Sequence, residues 1–262
     1  MTRVSDIYTW IKSIAPEEMK EDFDNVGLLC GRSGNPVTDV LIALDITPTV
    51  CEEAKSLGAQ LIVSHHPAIF YGKNVSDTSA EGSRLLYMIE NGIAAISAHT
   101  NLDKAPGGVN DCLARALGLE NVCVLDPEGT DAQGRPYGLL RAGTIAPRTA
   151  GSFAAFVRDS LHCAHLRYVE GEGLITRVAV GGGACADRLP LVFESGCDAF
   201  VTADVKYHTF LEAKELGITL LDAGHFQTEN VVCAELAREM RGRFPELTVS
   251  VSKTHTDCIK FA

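Results

Sequence analysis

Short apolar runs alternate with helix-length amphipathic segments along most of this 262-residue chain. The apolar runs lie at residues 40–44, 61–63, 93–97, 178–180, 199–202 and 219–221. Amphipathic segments at residues 49–57, 83–91 and 209–216 end near glycine. Strands that alternate with helices are typical of an α/β fold with a largely parallel sheet. In such sheets, ligand sites gather beyond the carboxyl ends of the strands.

The two halves of the chain resemble each other. A strand that follows glycine, a helix, a Gly-Ile turn and a second strand lie within residues 58–103 and recur within residues 196–229. In each copy an acidic residue follows a histidine by four positions, as Asp103 follows His99 and Glu229 follows His225. This pattern predicts two similar α/β units from an internal duplication, at residues 1–128 and 129–262, with a site between them. Residues 126–136, which are rich in glycine and proline, form the predicted boundary.

The composition excludes several classes of protein. Hydrophobic residues form 46% of the chain, yet no apolar stretch reaches the roughly 20 residues of a membrane helix. The N-terminus lacks the features of a secretory signal. A net charge of −11 argues against binding to nucleic acid or to an anionic membrane. The nine cysteines are scattered and odd in number, as expected for reduced side chains in a cytoplasmic protein.

Histidines follow the strand predicted at residues 61–63. His65 and His66 are adjacent, and Pro67 then stops the strand. Neighbouring side chains of a regular strand face opposite sides, but they can converge where the strand turns into a loop. Taken alone, the pair is also compatible with an exposed loop or with one histidine in a hydrophobic core.

Two further groups combine histidine with a carboxylate. His99 and Asp103 follow the strand at residues 93–97, where a polar loop with Asp103 as a helix cap is the alternative. His225 and Glu229 lie at the start of a helix predicted at residues 228–240. A spacing of four places both side chains on one helical face, where they can contact one metal ion or simply face solvent.

The joint occurrence of these residues is more informative than any one group. Four of the eight histidines and two acids fall at equivalent strand ends. Imidazole and carboxylate suit zinc, iron, manganese or cobalt better than magnesium or calcium, which prefer oxygen ligands. A carboxylate can also bridge two ions, as two-metal hydrolytic centres require. The sequence therefore predicts a pair of divalent transition-metal ions.

A glycine-rich turn follows the strand at residues 178–180. Gly181, Gly182 and Gly183 precede a helix-like segment, so their backbone amides could cradle a phosphate. The segment matches neither a P-loop nor a dinucleotide fingerprint. A tight turn between strand and helix is the favoured interpretation, and phosphate contact is the alternative.

The remaining polar candidates have weaker functional interpretations. Asp204 and His208 occupy the place in the second copy that the histidine pair occupies in the first, so they line the site or lie on the surface. His162 and His165 lack an acidic partner at useful spacing and are assigned structural roles. His255 can reach the site only if the C-terminal segment folds back.

Six segments occur in an order that defines a family. They are DNVGLLCG (24–31), ALDITPTVCEEA (43–54), SHHPAIF (64–70), AHTNLDKAPGGVND (98–111), VAVGGGACAD (178–187) and DAGHFQTEN (222–230). Together they resemble the NIF-three-like family, also called the GTP cyclohydrolase I type 2 family of dinuclear-metal proteins. The chain departs from the family at Thr202-Ala203-Asp204, where many relatives have Thr-Gly-Glu or Thr-Gly-Asp. Its glycine-rich turn also differs from the Cys-Gly-Gly-Ser-Gly of many relatives.

The resemblance implies roles for single residues and for the assembly. Glu229 resembles a carboxylate that bridges two ions, and His99 resembles a close neighbour of the ions. Family members form ring-shaped hexamers, which implies a homohexamer, and the long insertion of some members is absent here. The residues that resemble terminal metal ligands are His65, His66, Asp103 and His225.

We expect a metal-dependent hydrolase that acts on a small molecule through a metal-activated water. The family name implies a nucleotide such as GTP, and a phosphoester is a second substrate class. His99 is the first candidate for proton transfer, and His208 is the second. The alternative is a non-enzymatic metal-binding scaffold or regulator, which would bind metal tightly without turnover.

Overall fold

A computed structural model of the chain describes residues 1–70, 72 and 74–261. In this range the helices are α1 (Val4–Ile14), α2 (Pro48–Ser56), α3 (Ala80–Glu90), α4 (Thr100–Lys104), α5 (Val109–Ala116), α6 (Ala150–Ser160), α7 (Leu189–Glu194), α8 (Tyr207–Leu216), α9 (His225–Glu229) and α10 (Val231–Arg243), with short 3-10 helices at Glu17–Met19 and Ala186–Arg188. The strands are β1 (Gly27–Cys30), β2 (Asp39–Ala43), β3 (Leu61–Ser64), β4 (Ala94–Ser97), β5 (Glu120–Val124), β6 (Gly129–Thr130), β7 (Pro136–Tyr137), β8 (Arg141–Arg148), β9 (Arg167–Val169), β10 (Ile175–Val180), β11 (Ala199–Thr202), β12 (Thr219–Asp222) and β13 (Thr248–Val251). Among the described residues, none of the helices is long and apolar enough to cross a membrane.

The chain divides into two compact units, and neither is a continuous half of the sequence. Unit 1 comprises the described residues of Met1–Ala105 together with Cys233–Thr256. Unit 2 comprises Pro106–Val232 and residues 257–261. The division differs from the predicted boundary between residues 128 and 129 for two reasons. Helix α5 packs against β8 and β10 within unit 2, and β13 pairs with β2 within unit 1.

Unit 1 is built on a five-stranded sheet in the order β1-β4-β3-β2-β13. The strands β13, β2, β3 and β4 are parallel, and β1 is an antiparallel edge strand. Strands β3 and β4 are buried along their whole length, which is why they read as continuous apolar runs in the sequence. One hydrophobic core of this unit includes Leu41, Ile62 and Met88.

The helices that connect the strands of unit 1 begin at residues suited to that position. The hydroxyl of Thr47 accepts a hydrogen bond from the amide of Val50, and Pro48 occupies the first turn of α2. The hydroxyl of Ser79 accepts from the amide of Gly82 at the start of α3. Side-chain caps of this kind satisfy amides that lack a partner within the helix, so they fix where each helix begins.

Unit 2 contains a six-stranded sheet in the order β5-β8-β10-β11-β12-β9. Strands β10, β11 and β12 are parallel, and the other three pair antiparallel to their neighbours. Successive residues face opposite sides of a strand, so Val178 and Val201 join one hydrophobic core and Ala179 and Phe200 join another. Both faces of this sheet are therefore covered.

The structure confirms the predicted α/β fold, with parallel strands at the centre of the five-stranded and the six-stranded sheet, while β6 and β7 form a separate antiparallel pair. Each unit contains a strand, a helix and a parallel neighbouring strand, which are β3-α3-β4 in unit 1 and β11-α8-β12 in unit 2. The internal duplication remains a prediction. The single helix predicted at residues 228–240 is wrong in its extent, because α9 ends at Glu229 and α10 begins at Val231, with Asn230 between them.

Candidate metal centre

The carboxyl ends of β3 and β4 bring three imidazoles together in unit 1. The strands are parallel neighbours, with Ser64 opposite Ser97 at their ends and the two hydroxyls 2.8 Å apart. His65 and His66 follow β3, and His99 follows β4 two residues after its end. The centroids of the three rings are 5.0, 5.1 and 5.4 Å apart. Each ring offers a nitrogen within 4.8 Å of the other two, so the three histidines could share an ion.

His65 is fully buried, and its ring orientation is fixed by a backbone hydrogen bond. Nδ1 lies 2.9 Å from the carbonyl oxygen of Ala98. Because a carbonyl can only accept, Nδ1 carries the proton and Nε2 is the nitrogen that can bind an ion. Nε2 lies 3.6 Å from Oδ1 of Asp103. Asp103 is buried within α4, so it is not the helix cap of an exposed polar loop. Two atoms that each lie about 2.1 Å from one ion can be at most about 4.2 Å apart, so this distance fits a shared ion.

His66 and His99 are each held by a carboxylate. Nδ1 of His66 donates to Oδ1 of Asp45 at 2.7 Å, and Nδ1 of His99 donates to Oδ1 of Asp24 at 2.8 Å. Carboxylates only accept, so both protons lie on Nδ1 and both Nε2 atoms can bind an ion or exchange a proton. Partners of this kind fix the orientation of a metal-binding imidazole and raise its basicity.

Asp24 links the segment before β1 to the start of α4. Its side chain is fully buried, and Oδ2 accepts hydrogen bonds from the amide of Thr100 at 3.0 Å and from the hydroxyl of Thr100 at 2.5 Å. Burial raises the pKa of Asp24, but the hydrogen bonds from His99 and Thr100 outweigh this effect and lower the pKa to about 2. Asp24 is therefore ionised at neutral pH.

We expect Asp24→Asn to lower the free energy of unfolding by about 2 kcal/mol, since a buried amide cannot accept at both of its polar atoms and leaves a donor poorly paired. Urea denaturation of the metal-free protein measures the effect. Asp22→Asn is the matched control, because Asp22 lies two residues away on the surface. Equal stability of the two variants would show that the Asp24 carboxylate does not organise this part of unit 1.

In unit 2, β12 and α9 position a second group. β12 ends at Asp222, and Gly224, with a φ of +85°, turns the chain into α9. His225 and Glu229 are the first and last residues of α9. Nε2 of His225 lies 3.0 Å from Oε2 of Glu229, and Glu229 is only 3% exposed. The spacing of four therefore does place both side chains on one face.

Asp204 orients His225. Oδ2 of Asp204 accepts a hydrogen bond from Nδ1 of His225 at 2.7 Å. Asp204 has a φ of +52°, a left-handed conformation that residues other than glycine rarely adopt, although aspartate and asparagine tolerate it best. The sequence predicts that Asp204 either lines the site or lies on the surface, and its exposed carboxylate is hydrogen-bonded to a candidate ligand.

The glycine-rich turn at residues 181–183 is a packing element, which agrees with the favoured interpretation as a tight turn and not with the alternative of a phosphate cradle. All three backbone amides donate hydrogen bonds within unit 2, at distances of 3.0, 2.7 and 3.0 Å. The acceptors, in chain order, are the carbonyl of Val201, the side-chain oxygen of Asn110 and the hydroxyl of Thr228. The turn therefore holds α5 and α9 in place, as expected for a tight connection between strand and helix.

Gly183 lies directly against the carboxylate of Glu229. A Cβ atom added at Gly183 would be 2.1 Å from Oε1 of Glu229 and 3.3 Å from Cε1 of His225. Real Cβ atoms essentially never come closer than 3.0 Å to another heavy atom. The absence of a side chain at this position is therefore what allows Glu229 to occupy its buried place.

Other histidines of the prediction lie elsewhere. His208 is exposed in the first turn of α8, with its ring 5.9 Å from that of Tyr207. Among the described residues, it belongs to no group of side chains close enough to share an ion. His162 is exposed, and the ring of His165 lies 4.5 Å from that of Phe261.

Sequence reasoning missed two residues that orient the candidate ligands in unit 1, and it named a third, His255, only under a condition. Asp45 follows β2 much as His65 follows β3, so its position at a strand end was a usable signal. The only signal for Asp24 was that its segment, residues 24–31, resembles the family. The C-terminal segment does fold back, as the prediction for His255 required, and Nε2 of His255 lies 2.8 Å from Oδ2 of Asp45.

The donor set fits a transition-metal ion. In four histidines, Nδ1 donates its proton to an oxygen acceptor. Nε2 is therefore the nitrogen that can bind an ion in each ring. The carboxylates of Asp103 and Glu229 are buried beside two of these rings. Imidazoles and carboxylates with such outer hydrogen bonds are typical of zinc, iron, manganese and cobalt sites. These histidine and carboxylate groups could therefore hold metal ions.

Known proteins resemble this chain over nearly its whole length. The sequence pattern of the Duf34/NIF3 (NGG1p interacting factor 3) family matches residues 2–258. A Streptomyces coelicolor protein named GTP cyclohydrolase 1 type 2 homolog is 38% identical over 98% of this chain and 93% of its own. A Clostridium perfringens protein of the same name is 33% identical over 99% of each chain. The crystal structure of a Bacillus cereus protein related to NIF3 has a TM-score of 0.94 and 26% identity, and the match covers 100% of this chain and 99% of that one. The chain therefore belongs to the Duf34/NIF3 family.

Proposed function

We propose that this protein is a hydrolase that depends on two divalent transition-metal ions, with zinc, iron, manganese and cobalt as the candidate metals. The observation that carries the proposal is the common hydrogen-bond arrangement of four imidazoles. Each donates from Nδ1 to an oxygen, which leaves Nε2 as its ligand atom. The name of the relatives, GTP cyclohydrolase 1 type 2 homolog, supports hydrolytic chemistry. Glu229 is the proposed bridging carboxylate. The proposed terminal ligands are His65, His66, Asp103 and His225.

When bound, two such ions act as Lewis acids and lower the pKa of a water to about 7. The residues of the chain hold the ions and move protons. His99 is the first candidate for proton transfer, because its Nδ1 is fixed by Asp24 and its Nε2 can accept a proton or return one. Its ring also lies beside those of His65 and His66. His208, exposed on α8, is the second candidate.

The proposed substrate is a small anionic molecule, either a nucleotide such as GTP or another phosphoester. A net charge of −11 disfavours nucleic acid, but a bound metal ion supplies the local positive charge that a small anion needs. A homohexamer is proposed from the resemblance to the family, and a cytoplasmic location from the composition.

Elemental analysis after mild purification should find about two transition-metal ions per chain. A panel of nucleotides and phosphoesters should then reveal turnover that requires metal and is lost in His66→Ala. The absence of metal, together with no uptake on titration with zinc, manganese or iron, would contradict the proposal. Tight metal binding with no turnover across the panel would instead indicate a metal-binding scaffold or regulator.

A further inference from the structure

The segment that follows β13 ends beside the candidate ligands of unit 1. β13 pairs parallel with β2, and its last residue, Val251, is in register with Ile42. Parallel neighbours end at the same edge of a sheet, so the residues after β13 emerge beside those that follow β2. Asp45 lies on the β2 side of this edge, and His255 lies on the β13 side.

Glu53 on α2 fixes the segment between β13 and His255. Its carboxylate accepts hydrogen bonds from the hydroxyl of Ser252 at 2.5 Å and from the amide of Lys253 at 2.9 Å. It also accepts from the hydroxyl of Thr254 at 2.8 Å and from the amide of Thr254 at 3.3 Å. The hydroxyl of Ser252 in turn accepts from the amide of His255 at 3.1 Å. The carboxylate of Glu53 therefore determines the position of the backbone at His255.

The imidazole of His255 completes a chain of three side chains. Its ring is only 9% exposed, and Nε2 donates to Oδ2 of Asp45 at 2.8 Å. The backbone amide of Asp45 also lies 3.3 Å from this nitrogen, but the shorter contact to an acceptor-only carboxylate places the proton on Nε2. The other oxygen of Asp45, Oδ1, accepts from Nδ1 of His66 at 2.7 Å.

The hydrogen bond from His255 is needed to hold the Asp45 carboxylate in place, because the Asp45 side chain is 40% exposed. A carboxylate held at one oxygen can rotate and exchange that contact for water, whereas one held at both oxygens cannot do so without losing two bonds. With His255 in place, the plane of the Asp45 carboxylate is fixed. The proton of His66 is then fixed on Nδ1, and the lone pair of its Nε2 points in one fixed direction.

We propose that His255 is a positioning residue for His66 and acts through Asp45. The inference rests on the proposed function, in which Nε2 of His66 binds a metal ion. His255 is not itself assigned as a ligand, because its Nε2 is committed to Asp45. Outer partners of metal-binding histidines typically contribute about 10- to 100-fold to metal affinity. The C-terminal segment thereby becomes part of the metal centre although the proposed ligands all lie earlier in the chain.

The test compares His255→Ala with His255→Gln in the full chain, using Co²⁺ alone as the probe. Titration followed by the visible absorption of Co²⁺ should show affinity about tenfold weaker or more in His255→Ala. His255→Gln should recover most of this loss, because the glutamine amide can still donate to Asp45. Glu53→Ala, which releases the segment without changing the three side chains, should shift the affinity in the same direction. His162→Ala, a surface histidine, should leave the affinity at the wild-type value.

Long-range proton–nitrogen NMR of histidine-labelled, metal-free protein supplies a second readout. Wild-type His66 should show the proton on Nδ1 alone, and His255→Ala should show a mixture of both tautomers. Unchanged Co²⁺ affinity and an unchanged His66 tautomer in His255→Ala would overturn the inference, as would a lower melting temperature with neither change. If the wild-type protein binds no Co²⁺, the proposed function fails, and the tautomer of His66 alone still decides whether His255 positions it.

Discussion

Glu229→Gln is expected to remove at least one of the two proposed metal ions from each chain and to abolish metal-dependent turnover. Glu229 is almost fully buried, and its Oε2 lies 3.0 Å from Nε2 of His225. Glutamine keeps the size of the side chain but removes the negative charge and one acceptor oxygen. A neutral amide is a poor bridge between two cations, so the variant tests the charge of this side chain and not its packing.

The expected effect is large because of the repulsion between the ions. At the separation of about 4 Å usual in two-metal centres, two divalent ions repel by roughly 16 kcal/mol even at an effective dielectric constant of about 20. A bridging carboxylate screens this repulsion, and its loss leaves the second ion without compensation. His65→Ala removes a terminal ligand only, so it should weaken mainly one site and leave the other partly filled.

Metal counts by elemental analysis and thermal melts of the metal-free proteins test this prediction. Glu212→Gln is the matched control, because it makes the same chemical change at an exposed position of α8. His162→Ala should likewise keep both ions. If Glu229→Gln retains two ions at wild-type affinity, the bridging assignment is wrong, and Asp103 becomes the next candidate.

The strand ends and most of the candidate ligands could be predicted because their signals are local. A buried parallel strand needs a continuous apolar run, and the polar residues that follow it stand out. The division of the predicted helix at residues 228–240 carries no such signal. Asn230 has a φ of −60° and a ψ of −16°, so the backbone stays near helical geometry and the residue pattern continues across the break.

The contacts that orient the ligands of unit 1 could not be predicted, because they join distant parts of the chain. Asp24 reaches His99 across 75 residues, and His255 reaches Asp45 across 210. Such pairs follow only from the order of strands in the sheet, which places β13 beside β2. The compact units were also unpredictable from composition, since a glycine- and proline-rich segment marks a turn equally well within a unit as between units.

Gly183→Ala is expected to displace Glu229 and to cost the protein metal affinity as well as stability. The added Cβ would lie 2.1 Å from Oε1 of Glu229 and 3.1 Å from its Cδ. The carboxylate is the far end of a side chain and could move, but at 3% exposure it has little room to do so. Gly182 restricts it further, since a Cβ there would already be 3.3 Å from Cγ of Glu229.

The matched control for this variant is Gly196→Ala, which separates backbone strain from the clash. Gly196 also lies in unit 2, and its φ of +69° is close to the +63° of Gly183, but a Cβ at Gly196 would meet nothing within 4 Å. Gly196→Ala should therefore cost only the left-handed conformation, about 1 kcal/mol. Gly183→Ala should cost about 3 kcal/mol, because overpacking of a buried site adds to the same strain.

Urea denaturation of the metal-free proteins measures the difference, and titration with Co²⁺ should show weaker binding in Gly183→Ala alone. Equal losses of stability and equal Co²⁺ affinity in the two variants would mean that the turn at residues 181–183 does not set the position of the Glu229 carboxylate.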